Sequence, residues 1–188
     1  MNNAVTLRRA TLDDVSTFER WDRDPDVIAC STDAPDADIA FGEHDWGDEL
    51  RAVQPGIREY FIAELEGRPI GAMQIIDPHL EPTHYWGEVE PGLRAIDIWI
   101  GDPADRSKGL GETMMRLALQ RCFANAAVSG ILIDPLISNT RAHQFYQRLG
   151  FVPVGPRRFN DEDDCLVHRL DRATWRVRFP EDSAHSHC

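Results

Sequence analysis

Leu93-Arg94-Ala95-Ile96-Asp97-Ile98-Trp99-Ile100-Gly101-Asp102-Pro103-Ala104-Asp105-Arg106-Ser107-Lys108-Gly109-Leu110-Gly111 is the stretch that decides the fold. Leu93 to Ile100 reads as a strand, with Ala95, Asp97 and Trp99 on one face and Ile96, Ile98 and Ile100 on the other. A carboxylate in so apolar a strand calls for a chemical reason. A glycine-rich turn follows, and then Met114, Met115, Leu117, Ala118, Cys122 and Phe123 recur at helical spacing. Glycines at a helix entrance let backbone N–H groups approach a phosphate without Cβ obstruction, and the helix dipole favours its charge. Arg106 and Lys108 add positive charge. The segment lacks the Gly-Lys-Ser/Thr ending of a P-loop and the G-x-G-x-x-G of a dinucleotide fold. By itself it reads equally well as a tight turn with a helix cap.

Upstream, Tyr60 to Leu65, the turn Glu66-Gly67-Arg68-Pro69 and Ile70 to Ile76 form a β-hairpin. Val5 to Arg8 alternates like a short strand, and Thr11 with Asp14 opens a helix that runs to about Asp24. Pro25 to Gly42, rich in Asp, Ala and Pro, reads as a long connection. Downstream come a buried strand from Ile131 to Pro135, a helix from Asn139 to Leu149 closed by Gly150, and a last short strand from Leu166 to Leu170. Strands dominate the early half and alternate with helices later, which predicts an α+β domain around one mixed sheet. One domain over 1–175 and a polar, flexible tail over 176–188 are expected.

The 188 residues, 42% hydrophobic, suffice for one core. A net charge of -12 and a pI near 4.9 argue against a nucleic-acid partner, because that affinity comes from cations displacing counterions. An acidic protein attracts cations instead. No Lys or Arg lies between Arg23 and Arg51, where Asp24, Asp26, Asp33, Asp36, Asp38, Glu43, Asp45, Asp48 and Glu49 accumulate. That run is either a solvated surface loop or a lip that draws in a cationic substrate. No stretch is long and apolar enough to span a membrane, and a cytoplasmic protein is the expectation. Cys30, Cys122, Cys165 and Cys188 are scattered, without metal-site spacing, and His79 and His84 lack ligand spacing. No metal is expected. The closing His185-Ser186-His187-Cys188 has ligand chemistry but sits in the tail.

Arg106-Ser107-Lys108-Gly109-Leu110-Gly111 matches R/Q-x-x-G-x-G/A, and Asn139 with Arg141-Ala142-His143-Gln144-Phe145-Tyr146-Gln147-Arg148-Leu149-Gly150-Phe151 resembles N-x-x-A-x-x-F-Y-x-x-x-G-F. Both are signatures of the GNAT superfamily of N-acetyltransferases, in that superfamily's order. Glu90-Pro91-Gly92-Leu93-Arg94-Ala95-Ile96-Asp97 further resembles the D-P-G-V-R-G-I-D segment of the aminoglycoside 6'-N-acetyltransferases, as do Asp134-Pro135 and Ser138-Asn139. The departure lies before the hairpin. Those enzymes carry a Trp-rich segment at the drug pocket where this chain has Ile28-Ala29-Cys30-Ser31 and the acidic run.

The resemblance implies the GNAT fold, a central mixed twisted β-sheet flanked by helices, and direct acetyl transfer from acetyl-CoA as co-substrate to an amine. It implies a coenzyme site at Trp99, Ile100, Arg106, Ser107, Lys108, Gly109, Leu110, Gly111, Glu112, Thr113, Asn139 and Tyr146, with backbone N–H groups near Trp99 and Ile100 polarising the thioester oxygen. A cationic amine must lose a proton before it attacks, and Asp97 is the candidate base, against the reading of a carboxylate that fixes a loop. Tyr146 matches the tyrosine that donates to the departing thiolate, against a purely packing role. Asp134, on the ligand-binding edge of the sheet, is expected to bind substrate, against the turn-forming role common to an Asp-Pro pair. Trp86, beside Tyr85, and Glu88 are expected at the acceptor pocket, with core packing as the other reading of the aromatic pair. A homodimer rests on the resemblance alone. The expected function is acetylation of a small cationic amine, such as an aminoglycoside. The alternatives are an acyltransferase for a siderophore precursor or a protein amine, and a non-catalytic CoA-binding module.

Overall fold

The computed structural model describes residues 5–41, 45–159 and 163–184. Seven strands form one sheet: β1 (Val5–Arg9), β2 (Arg58–Leu65), β3 (Arg68–Ile76), β4 (Leu93–Ile100), β5 (Gly130–Ile133), β6 (Val152–Phe159) and β7 (Asp163–Asp171). Their order is β1-β2-β3-β4-β5-β7-β6, antiparallel except for the central β4–β5 pair. The helices are α1 (Val15–Asp22), α2 (Pro25–Ser31), α3 (Trp46–Arg51), α4 (Leu110–Ala124), α5 (Thr140–Arg148), α6 (Arg172–Arg178) and α7 (Pro180–Ala184). The α+β mixed sheet is as expected. No described helix is long and apolar enough to cross a membrane.

Strand alternation assigns the two faces. Phe61, Ala63 and Met73 meet Ile96 and the α4 stripe of Met114, Met115, Ala118 and Leu119, while Tyr60, Ile62 and Ala72 turn to Phe18, Trp21, Trp46 and Trp99. The second face is thus aromatic. Phe18 stacks on Trp46 with ring centroids 4.5 Å apart, and Phe41 lies 4.5 Å from Trp99. Trp21 is pressed so closely onto Gly101 that a Cβ there would sit 2.0 Å from the indole. Only glycine permits that approach between α1 and the end of β4.

Four elements differ from the sequence reading. Pro25 to Ser31 is a helix, because the Asp24 side chain accepts the N–H groups of Asp26 and Val27 while Pro25 takes the first turn, where no N–H is needed. Short α3, in a segment given no element from the sequence, is capped by Asp45 through the Asp48 N–H. Strand β6 has no counterpart in the sequence reading; its Pro153, Gly155 and Pro156 suit it only to an edge, where it lies shifted in register between Pro153 and Gly155. The chain beyond 175 continues as the end of α6 and as α7, where buried Asp182 receives the Arg116 guanidinium at 2.8 and 3.0 Å. His185 to Cys188 lie outside the described residues.

Candidate active site

The site begins where the central strands part. β4 and β5 pair at Leu93↔Gly130, Arg94↔Ile131 and Ala95↔Leu132 and no further. On its other side β4 stays paired with β3 up to Ile100. Because the Gly101 N–H donates to the Ile70 carbonyl, antiparallel alternation turns the backbone groups of Trp99 and Asp97 toward β3. Those of Ile98 and Ile100 face the gap. The donors expected near Trp99 and Ile100 therefore fall on Ile98 and Ile100. Around the gap opens a cleft of about 1150 Å³.

Asp97 and Asp134 both line this cleft. Asp97 stands opposite Gln74 on the aromatic face of β4. Burial, and then the charge of Asp134, push the Asp97 carboxyl up to about 7. Burial raises Asp134 as well, against the opposing effect of the Tyr85 hydroxyl, which donates to Asp134 Oδ2 at 2.9 Å. Tyr85 is itself held flat on Phe159, centroids 4.3 Å apart and planes 7° apart, with Trp86 edge-on to both. Trp86, 3% exposed, lines the cleft from within the core cluster, as expected of it, while Tyr85 makes the polar contact. Gln74 Nε2 donates to the Tyr60 hydroxyl at 2.6 Å, which donates in turn to Glu49 at 3.0 Å.

Tyr146 enters the cleft from α5, its ring 5.7 Å from Phe151 and 6.4 Å from buried His168. Burial first, then the charges of Asp97 and Asp134, raise its hydroxyl above the ordinary phenol value, so it keeps its proton at neutral pH. Asn139 is the N-cap of α5; its side-chain oxygen accepts the Ala142 N–H at 3.1 Å.

The glycine-rich turn is a built loop. Asp102 caps a 3-10 turn through the Ala104 N–H, and buried Asp105 takes both arms of Arg68 at 2.6 and 2.8 Å. Ser107 and Gly109 adopt left-handed φ values of +62° and +78°, and Gly109 caps α4, with open space where its Cβ would stand. The first N–H groups of a helix have no partner within it, so this end of α4 offers donors toward the gap. Arg106, Ser107, Gly109, Gly111 and Glu112 line the cleft; Lys108, Leu110 and Thr113 do not, and Leu110 packs on the core. Glu88 also lies off the cleft, and its neighbour Glu90 is engaged by Arg169 at 2.7 Å.

The remaining wall comes from α2 and the acidic stretch after it, which crosses the cleft. Asp163 accepts from the Thr32 hydroxyl at 2.8 Å and the Asp33 N–H at 2.9 Å, and Ser138 donates to Asp33 at 2.7 Å. Buried Asp22 fixes the other end by accepting from the Ala40 and Phe41 N–H groups and the Trp46 indole. Gln74, Phe41, Asp163 and Arg141 line the cleft and are not among the residues expected from the sequence, whereas Tyr85, expected with Trp86 as a pocket wall, lines it too. Of the four, only Arg141, inside the second motif, carried a signal in the sequence. Among the described residues no group of three or more His, Cys, Asp or Glu is placed to hold a metal.

Known proteins agree with this geometry. Residues 10–159 match the acetyltransferase (GNAT) domain family. The aminoglycoside N(6')-acetyltransferase type 1 of Klebsiella pneumoniae is 27% identical over 170 residues, 82% of this chain and 77% of the relative. A kanamycin resistance protein of Rhizobium radiobacter is 36% identical over 77 residues, covering 40% of this chain and 71% of that protein. The crystal structure of aminoglycoside acetyltransferase AAC(6')-Ib with coenzyme A and kanamycin superposes with a TM-score of 0.79 at 25% identity, over 93% of this chain and 98% of that one. With its parted central strands, its glycine-capped helix and a family match that spans most of its length, the chain belongs to the GNAT family of acetyltransferases.

Proposed function

We propose that the protein transfers acetyl from acetyl-CoA to an amine of a polycationic small molecule, an aminoglycoside, by direct attack. The observation that carries this reading is the Asp97–Asp134 pair inside a cleft open to both sides of the β4–β5 gap. The residues present fit the coenzyme. The parted strands leave the Ile98 backbone groups and the Ile100 N–H for an extended polar chain, and the Gly109-capped helix offers N–H donors to phosphate. Acetyl-CoA, when bound, supplies the activated acetyl group.

The chain's own residues supply the rest. Two partly buried carboxylates sharing one cleft favour a cation between them and disfavour a second negative charge. Asp97, its carboxyl raised toward neutrality, is matched to accept the proton that an ammonium group must lose, directly or through one water. Asp134, steadied by Tyr85, holds a second ammonium or hydroxyl of the acceptor, with Trp86 supporting that wall from behind. The N–H groups of Ile98 and Ile100 stabilise negative charge on the carbonyl oxygen. The Tyr146 hydroxyl, kept protonated, donates to the departing sulfur. The relatives named for aminoglycosides support the acceptor class. The coenzyme belongs to the cell interior, which supports a cytoplasmic site of action.

The test is CoA release by purified protein with acetyl-CoA and a panel of kanamycin-class aminoglycosides, polyamines and lysine peptides, with Asp97→Asn alongside. Turnover strongest on aminoglycosides and lost in the variant is the expected result. Acetyl-CoA binding with no aminoglycoside accepted sinks the acceptor reading and leaves the family intact.

A further inference from the structure

The glycine-rich motif suggests that Arg106 meets the coenzyme phosphates, yet its surroundings describe another task. Its Nε donates to the Ile100 carbonyl at 3.2 Å, and one terminal nitrogen donates to the Gly101 carbonyl at 2.8 Å and to Asp24 at 2.7 Å. The other terminal nitrogen donates to Asp26. Four of the five guanidinium donors are therefore used, the side chain is 15% exposed, and two carboxylates face one cation. No surplus positive charge remains for a phosphate. What Arg106 does hold is the start of α2: Asp24 is the N-cap of that helix and Asp26 lies in its first turn. From α2, Val27, Cys30 and Ser31 line the cleft.

Arg141 is placed the other way round. It stands on the first turn of α5, lines the cleft, and donates to the Ser107 hydroxyl at 2.9 Å across the top of the same loop. Among the described residues no carboxylate pairs with it, so its remaining donors face the loop side of the cleft uncompensated. Lys108, the other cation of the motif, does not line the cleft.

We propose that Arg106 is a positioning residue that clasps the acceptor wall to the coenzyme loop, and that Arg141 carries the side-chain contact to coenzyme phosphate. The two arginines thus divide between the two substrates. One loop serves both, its backbone facing the coenzyme and its Arg106 side chain holding the acceptor wall.

Calorimetric titration with CoA and amide hydrogen exchange over residues 25–31 test this on the full chain. Arg141→Gln should weaken CoA binding about tenfold, with a shallower salt dependence, because a charge-assisted phosphate contact is lost. Its exchange over α2 should match that of the wild type. Arg106→Gln should hold CoA within about twofold, while opening of α2 speeds exchange there about tenfold or more. Arg106→Lys, which keeps the charge, should recover part of that protection. Asp26→Asn loosens the same clasp without replacing either arginine or the Asp24 cap, and should also speed exchange with CoA binding unchanged. These arms do not depend on which amine is acetylated. A kinetic arm rests on the aminoglycoside reading: with kanamycin, Arg106→Gln should raise KM for kanamycin more than KM for acetyl-CoA, and Arg141→Gln the reverse. CoA binding by Arg141→Gln equal to wild type overturns the phosphate assignment. Unchanged α2 exchange in Arg106→Gln, or a loss of CoA binding as large as that of Arg141→Gln, overturns the clasp.

Discussion

The two sides of the cleft are made from different materials. On the proposed coenzyme side most of the working groups are backbone, the N–H groups of Ile98 and Ile100 at the strand gap and those of the first turn of α4, with Tyr146 and Arg141 as the side chains. On the acceptor side they are side chains gathered from distant segments, with Asp97 from β4, Asp134 after β5, Tyr85 from the 77–92 loop, and Thr32 tied to Asp163 across 131 positions. A backbone site tolerates sequence change as long as the chain path holds, whereas a side-chain site is remade by single substitutions. A family can therefore keep its donor while changing its acceptor.

The largest expected effect breaks the acceptor side alone. Asp97→Asn removes the proposed base and should lower kcat by about a hundredfold to ten-thousandfold, with CoA affinity unchanged by calorimetry. A comparable loss of CoA binding would mean the two sides are not separable at β4. The same group sets the pH response. With its carboxyl raised to about 7, Asp97 binds its proton across the acid range, so kcat/KM should fall as pH drops through about 7. Asp134→Asn removes a like charge and should move that limb to lower pH, while raising acceptor KM. The stability linkage has the opposite sense to an ion-paired Asp. The folded chain holds the Asp97 proton where the unfolded chain has released it, so this residue lowers stability as pH rises from about 4 to about 7. Asp97→Asn should therefore raise the melting temperature at pH 8.

A smaller effect is expected from the anchor of the acidic crossing. Asp22→Ala leaves the Ala40 and Phe41 N–H groups and the Trp46 indole without their acceptor. Loss of such a buried, charged acceptor costs about 2 to 4 kcal/mol in folding stability. Chemical denaturation measures that cost, and acceptor KM should rise more than acetyl-CoA KM. Equal rises in both would show that the aromatic face supports the coenzyme side too.

The same division explains what could be read in advance. Strand β4, the glycine-rich turn, α4 and α5 stand in sequence as contiguous patterns with fixed spacing, because backbone geometry is local. Asp97 was visible as a carboxylate out of place in an apolar strand. The acceptor wall had no such signal. α2 hides in an Asp- and Pro-rich stretch because its stability comes from one cap and from Arg106, which lies 82 positions from Asp24. Strand β6 carries two prolines that only an edge position excuses. Trp86 and Tyr85 were legible as a pair, but which of them touches a carboxylate depends on Phe159, which meets Tyr85 only in the folded chain. Glu88 was expected at the pocket from its proximity in sequence to that pair, and in the fold it lies off the cleft.

The smallest expected effect refines the comparison at its outer rim. Ser138 donates to Asp33 at 2.7 Å on the exposed side of the acidic crossing, one residue before the Asn139 cap of α5. The bond therefore joins the acceptor wall to the helix that carries Tyr146. An exposed hydrogen bond contributes only about 0.5 to 1.5 kcal/mol, so Ser138→Ala should leave global stability nearly unchanged. If the crossing acts as part of the acceptor wall, the loss should appear as an acceptor KM raised about twofold to fivefold, with kcat and acetyl-CoA KM held. If kcat falls instead while acceptor KM stays fixed, the bond acts through the position of Tyr146, and the boundary between the two sides runs through α5 rather than along the strand gap.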